Sequence, residues 1–233
     1  MKGLALLFTL LISLTCQADT STPLSSWQDG ASRQAIISFV QRVTDPASPE
    51  HVAPSDRIAV FDNDGTLWAE QPIYTQLLFV ADRVRAQAGE NPAWESQEPF
   101  ASILKGDLAG AFSSSHDAPV QLIRASQAGL DTDSFDQVVR DWMQTARHPT
   151  TDKPFTRMVY QPMLELLDYL QDNDFKSFIV SGGGVDFMRP WTESVYGIPP
   201  ERVVGSRTAK QLAVQDGVVR VVHEGTMEFN DDK

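Results

Sequence analysis

Apolar runs too short for helices alternate along this chain with longer stretches whose apolar positions recur every three to four residues. Residues 58–61 (IAVF), 175–180 (FKSFIV) and 202–206 (RVVGS) have the length and branching of buried strands. Between them, Ile36, Ile37, Phe39, Val40 and Val43 keep helical spacing over residues 32–43. Stretches near 73–88, 117–128 and 133–146 do the same, separated by Gly, Pro, Asp and Ser. Pro162 suits the first turn of a further helix through Met163, Leu166, Leu167 and Leu170, and another helix separates the last two strands. The order β-α-β-α-β predicts an α/β fold: a parallel sheet with right-handed crossovers, the 32–43 helix packing on it. No internal repeat or low-complexity tract interrupts it.

The first strand runs directly into chemistry. Residues 57–68 read RIAVFDNDGTLW, so the strand delivers Asp62 to the carboxyl edge of the sheet, where open α/β folds hold ligands. Gly65 permits a sharp turn that swings Asp64 toward Asp62. Two carboxylates that close repel, so a cation sits between them or one keeps a proton. A hairpin turn would also use Asn-Asp-Gly, but residues 73–84 do not alternate as a returning strand must. A calcium loop needs its glycine at the sixth position, and Gly65 is fourth from Asp62.

The 175–180 strand ends in Ser181 and three glycines. A plain helix N-cap would use the same serine. A dinucleotide fingerprint would need glycine where Phe187 stands, and a Walker loop needs a Gly-Lys pair that is absent. Ser181, Asp186 and His223 fall in the chain order of a serine-hydrolase triad, yet the nucleophile elbow needs glycine at Ile179.

DNDGT at residues 62–66 resembles the DxDGT signature of the haloacid dehalogenase-like (HAD) phosphatases, and SGGG after the second strand is similar to the SGG turn of their phosphoserine-phosphatase branch. The resemblance implies a Rossmann-like core with a parallel sheet and a helical cap inserted after the first core strand. It implies Asp62 as the nucleophile toward phosphorus. Asp64 would protonate the leaving oxygen and later activate water. Mg²⁺ would be held by the Asp62 carboxylate and the Asp64 main-chain carbonyl, offsetting repulsion between nucleophile and phosphate. Ser181 and the Gly182 amide would cradle phosphoryl oxygens. The ligand set is all oxygen, and the scattered histidines offer no zinc pattern.

The same resemblance divides the chain into core segments 19–69 and 156–233 and a cap at 70–155, which would exclude water and set substrate choice. Trp94, Phe112 and Trp142 are expected in the cap's core rather than as a stacking box. Glu70 resembles the glutamate that meets the substrate's amino group in phosphoserine phosphatases; an ordinary exposed acid is the alternative. The family also carries a lysine beside the phosphate and a further acidic pair. Lys233 is a candidate for the lysine, while Asp231 and Asp232 come too early to be the pair. The chain therefore reads as a C-terminally incomplete phosphatase, with a non-catalytic phosphate-binding module as the alternative, and strand 58–61 is expected at an open sheet edge.

Residues 1–18 carry Lys2, an apolar run and a small residue at Ala18, the form of a cleaved signal peptide too short to stay as a membrane span. A periplasmic or secreted protein is expected, with a lipoprotein acylated at Cys16 as the alternative. Cleavage after Ala18 removes the one cysteine, so an oxidising compartment makes no demand on it. The formal net charge of −12, with dispersed cations, argues against nucleic-acid binding. It suits a small phosphorylated substrate better. Oligomeric state leaves no mark on the sequence.

Overall fold

The computed structural model describes residues 23–127 and 129–230. The expected signal peptide, Cys16 and Lys233 lie outside them.

Helix α1 (Ala31–Thr44) precedes strand β1 (Ile58–Phe61). Helices α2 (Thr75–Gln87), α3 (Phe100–Leu104), α4 (Leu108–Ser113), α5 (Ala118–Gln127) and α6 (Thr132–Thr145) follow. Helix α7 (Gln161–Asp172), strand β2 (Lys176–Gly184), helix α8 (Val185–Tyr196) and strands β3 (Val203–Gln215) and β4 (Val218–Phe229) complete the described chain. The sheet order is β1-β2-β3-β4, with β1, β2 and β3 parallel and β4 antiparallel to β3. This is the expected α/β fold, with Pro162 in the first turn of α7.

Four elements differ from expectation: β3, β4, α3 and α4. The third strand does not stop near Ser206. It runs on through Gln215, turns at Asp216 (φ 52°) and Gly217 (φ 78°) and returns as β4. An Asp-Gly pair with positive φ at both positions is the twist-matched two-residue hairpin turn, and its flanking valines were the available signal. The short helices α3 and α4 also escaped periodicity, because one turn or so presents too few positions for a 3.6-residue pattern to emerge.

One main apolar core joins helices α2 and α6 to β2 and α8. Phe79 and Val84 of α2 and Phe135 and Val139 of α6 belong to the same buried cluster as Ile179 of β2 and Phe187, Met188 and Trp191 of α8. Phe79 meets Phe187 with ring centroids 5.2 Å apart. Trp94, Phe112 and Trp142 pack against this cluster, Trp94 stacked on Phe100 at 4.4 Å and Trp142 on Phe155 at 4.9 Å. A smaller cluster of Val40, Val43, Leu170 and Phe175 seats α1 and α7.

Candidate active site

The Asp62–Trp68 turn is fixed from beneath by two side chains that the sequence did not single out. Asn63 is 1% exposed, and its main-chain oxygen accepts hydrogen bonds from the amides of Thr66 (3.1 Å) and Leu67 (2.8 Å). Its side-chain oxygen accepts from the Tyr196 hydroxyl at 3.2 Å. Burial, and secondarily the charge of Asp64, push that phenol well above its ordinary range, so it stays protonated as a donor. Fully buried Trp68 stacks on Trp191 at 4.6 Å and donates from Nε1 to Asp64 Oδ1 at 2.7 Å. The Asp64 carboxylate is thereby oriented by an indole locked in the core. Asp62 Oδ1 accepts from the Asn63 amide at 2.7 Å.

Gly65 turns with φ +73°, and a Cβ there would lie 2.8 Å from Glu70 Oε2. The Glu70 carboxylate therefore sits directly over the turn.

The second loop is a distortion of β2. Register with β3 shifts between Ser181 and Gly184, a bulge that re-aims the strand end. Gly205 on β3 makes room: a Cβ there would come within 2.4 Å of the Gly183 carbonyl oxygen and 2.8 Å of that of Ser181. Ser181 is 2% exposed, and its Oγ accepts from the Gly183 amide at 3.2 Å. Ser206 Oγ donates to the Gly182 carbonyl at 2.9 Å. From α2, Gln76 accepts the Gly184 amide at 2.8 Å, tying that helix to this loop.

Asp62, Asp64, Glu70, Ser181 and Gly182 converge on one cavity of about 470 Å³, completed by Tyr74, Gln76, Leu77, Ile123 and Gly183. It opens at the carboxyl ends of β1 and β2, the position a parallel sheet reserves for ligands. A groove of about 430 Å³ around Lys176, Ser177 and Arg202 lies at the opposite strand ends, and one of about 680 Å³ flanks α7 near Arg157. Neither contains the paired aspartates or the serine-glycine turn.

Asp186 and His223 do approach, His223 Nδ1 to Asp186 Oδ2 at 4.0 Å. Yet His223 Nε2 is buried without a hydrogen-bond partner among the described residues, so it does not engage Ser181, and Asp186 is instead held by Lys210 Nζ at 2.6 Å. The serine-hydrolase reading fails on this geometry. Among the described residues no cluster of three or more His, Cys, Asp or Glu side chains could hold a metal. The oxygen donors of Asp62 and Asp64 nevertheless fit Mg²⁺, which binds through one or two carboxylates and keeps water and substrate oxygens as its other ligands.

A parallel α/β sheet carrying two aspartates at the end of its first strand and a serine-glycine turn at the end of its second defines a Rossmann-type hydrolase core. The chain belongs to the HAD family, haloacid dehalogenase-like hydrolases, whose profile matches residues 59–233. No curated protein matches it by sequence. Among solved structures it is similar to a phosphoserine phosphohydrolase-like protein from Francisella tularensis subsp. tularensis SCHU S4, at 16% identity and a TM-score of 0.35, over 75% of this chain and 64% of that one. It is also similar to a conserved functionally unknown protein from Anaerococcus prevotii DSM 20548, at 14% identity and a TM-score of 0.45, over 85% of this chain and 70% of that one. The chain thus spans somewhat under two thirds of the Francisella protein.

Proposed function

We propose that this hydrolase cleaves phosphomonoesters of small molecules through an aspartyl-phosphate on Asp62. The convergence of Asp62, Asp64, Ser181 and Gly182 on one cavity is the observation that carries the reading. An Asp62 carboxylate oxygen forms a bond to phosphorus as the ester P–O bond breaks, and the departing oxygen takes a proton from Asp64. Water then gives its proton to Asp64 and its oxygen to phosphorus; the P–O bond to Asp62 breaks and phosphate leaves. Mg²⁺, held by the Asp62 carboxylate and the Asp64 carbonyl, would supply charge neutralisation for the approaching anions. Ser181 and the Gly182 amide bind phosphoryl oxygens, and Lys233 is the candidate cation beside them. Residues 70–155 act as the cap, and the leader directs the protein to the periplasm or outside, with mature protein starting at Asp19.

Purified protein is assayed on p-nitrophenyl phosphate with Mg²⁺ and with chelator. Mg²⁺-dependent turnover abolished in Asp62→Asn, with a phosphoryl mass increment trapped on Asp62, is the expected result. Turnover surviving Asp62→Asn ends the proposal. Phosphate binding without turnover supports a non-catalytic module instead.

A further inference from the structure

The cavity that gathers the phosphate-handling residues is lined as well by three large apolar or aromatic side chains, Tyr74, Leu77 and Ile123. Tyr74, which immediately precedes α2, and Leu77 in its first turn both reach the cavity. The neighbouring Leu78 and Phe79 turn into the core, but Tyr74 and Leu77 join neither apolar cluster and line the cavity instead. Tyr74 is 52% exposed. Ile123 reaches the cavity from α5. A large aromatic side chain left this exposed in a cavity lining, with half-buried Leu77 and Ile123 lining the same cavity, offers a surface that an apolar group can cover. Glu70 adds a third carboxylate, and none of the described lining residues is Lys or Arg, so a second anion on a substrate would meet like charge.

We propose that the alcohol portion of the substrate is a bulky apolar group, aryl or long alkyl, seated on Tyr74, Leu77 and Ile123. This rests on the phosphomonoesterase reading and adds the class of ester. The cavity of about 470 Å³ has room for such a group beside a phosphate. Compact polar or doubly anionic esters leave these side chains wet and are poor substrates.

Three esters of primary alcohols separate the effect from leaving-group chemistry: ethyl phosphate, 2-phenylethyl phosphate and glycerate 3-phosphate. The expected kcat/KM for 2-phenylethyl phosphate exceeds that for ethyl phosphate by about tenfold or more, about 1.4 kcal/mol. Glycerate 3-phosphate falls below both. Leu77→Asp, and independently Tyr74→Ser at its exposed position, bring the phenylethyl-to-ethyl ratio toward one. Equal wild-type values for those two esters, or a preference for glycerate 3-phosphate, overturn the inference while leaving the hydrolase reading intact. If no ester is hydrolysed the hydrolase reading falls, and calorimetric affinities of the two neutral-tailed esters decide this one. Tighter binding of 2-phenylethyl phosphate that is lost in Leu77→Asp sustains it, and equal affinities overturn it.

Discussion

At the scale of single residues, the DNDGT stretch divides into side chains that face the cavity and side chains that hold them there. Asp62 and Asp64 were legible because paired acids after a buried strand are chemically conspicuous. Asn63 and Trp68 were not, since an asparagine in a turn and a tryptophan after it have ordinary uses that only their burial overrules. Trp68 matters here because its indole fixes one Asp64 oxygen at 2.7 Å. Hydrogen bonds to charged groups contribute about 1.5–3 kcal/mol. Trp68→Phe keeps the stack on Trp191 but lacks the donor, and we expect kcat on p-nitrophenyl phosphate to fall about tenfold or more with KM little changed. An unchanged kcat would mean that Asp64 needs no orientation. Buried His223 offers a second residue-scale test. Burial lowers its pKa from 6.5, with Lys210 adding to the effect and Asp186 and Asp131 opposing it. The unfolded chain therefore binds a proton that the native state refuses, and stability falls as pH drops below the unfolded value of about 6.5. Urea unfolding at about pH 7.5 and about pH 5.5 should show part of the wild-type loss missing in His223→Gln; identical losses would refute it.

At the scale of elements, the SGGG turn works because two strands and a helix meet around it. The bulge in β2 brings the Ser181 and Gly183 carbonyls so near β3 that only glycine fits at position 205. Nothing in a lone glycine within RVVGS marked this, because the constraint comes from a strand paired through space rather than from neighbours in sequence. Gly205→Ala places a Cβ against backbone, which cannot rotate away, so we expect a loss of about 1–3 kcal/mol in unfolding free energy and a drop in turnover together. Wild-type stability in that variant would show that the bulge relaxes freely. The β3–β4 ribbon, missed apart from its first residues, ties the sheet to the junction of α5 and α6. The His223 amide donates to the Leu130 carbonyl at 3.1 Å, Thr208 Oγ1 to Gln127 Oε1 at 2.9 Å, and Arg220 pairs with Asp131 at 3.5 Å. Asp131 also caps α6, accepting the Ser134 amide at 2.9 Å.

At the scale of the whole molecule, one core shared by α2, α6, α8 and the sheet means that swinging α2 and α6 away from the sheet would uncover Phe79, Phe135 and Phe187. The sheet ends at β1, as expected: among the described residues no strand pairs on its far side, and Ile58 and Val60 are 56% and 59% exposed. An apolar open edge recruits other strands, so light scattering of concentrated protein should report self-association that Val60→Lys reduces. Scattering unchanged by that substitution would show the edge to be protected. The three parallel strands at their starts, the long helices, the two aspartates and the serine turn were determined by the sequence itself, because buried periodicity and strand-end chemistry are written in residues close along the chain. The Asn63–Tyr196 and Trp68–Asp64 supports, the glycine at 205, the ribbon's contacts and the meeting of Tyr74, Leu77 and Ile123 with the acids in one cavity were decided only by tertiary structure. Each depends on segments far apart in sequence arriving within hydrogen-bonding or van der Waals distance, and no local pattern encodes which distant partner arrives.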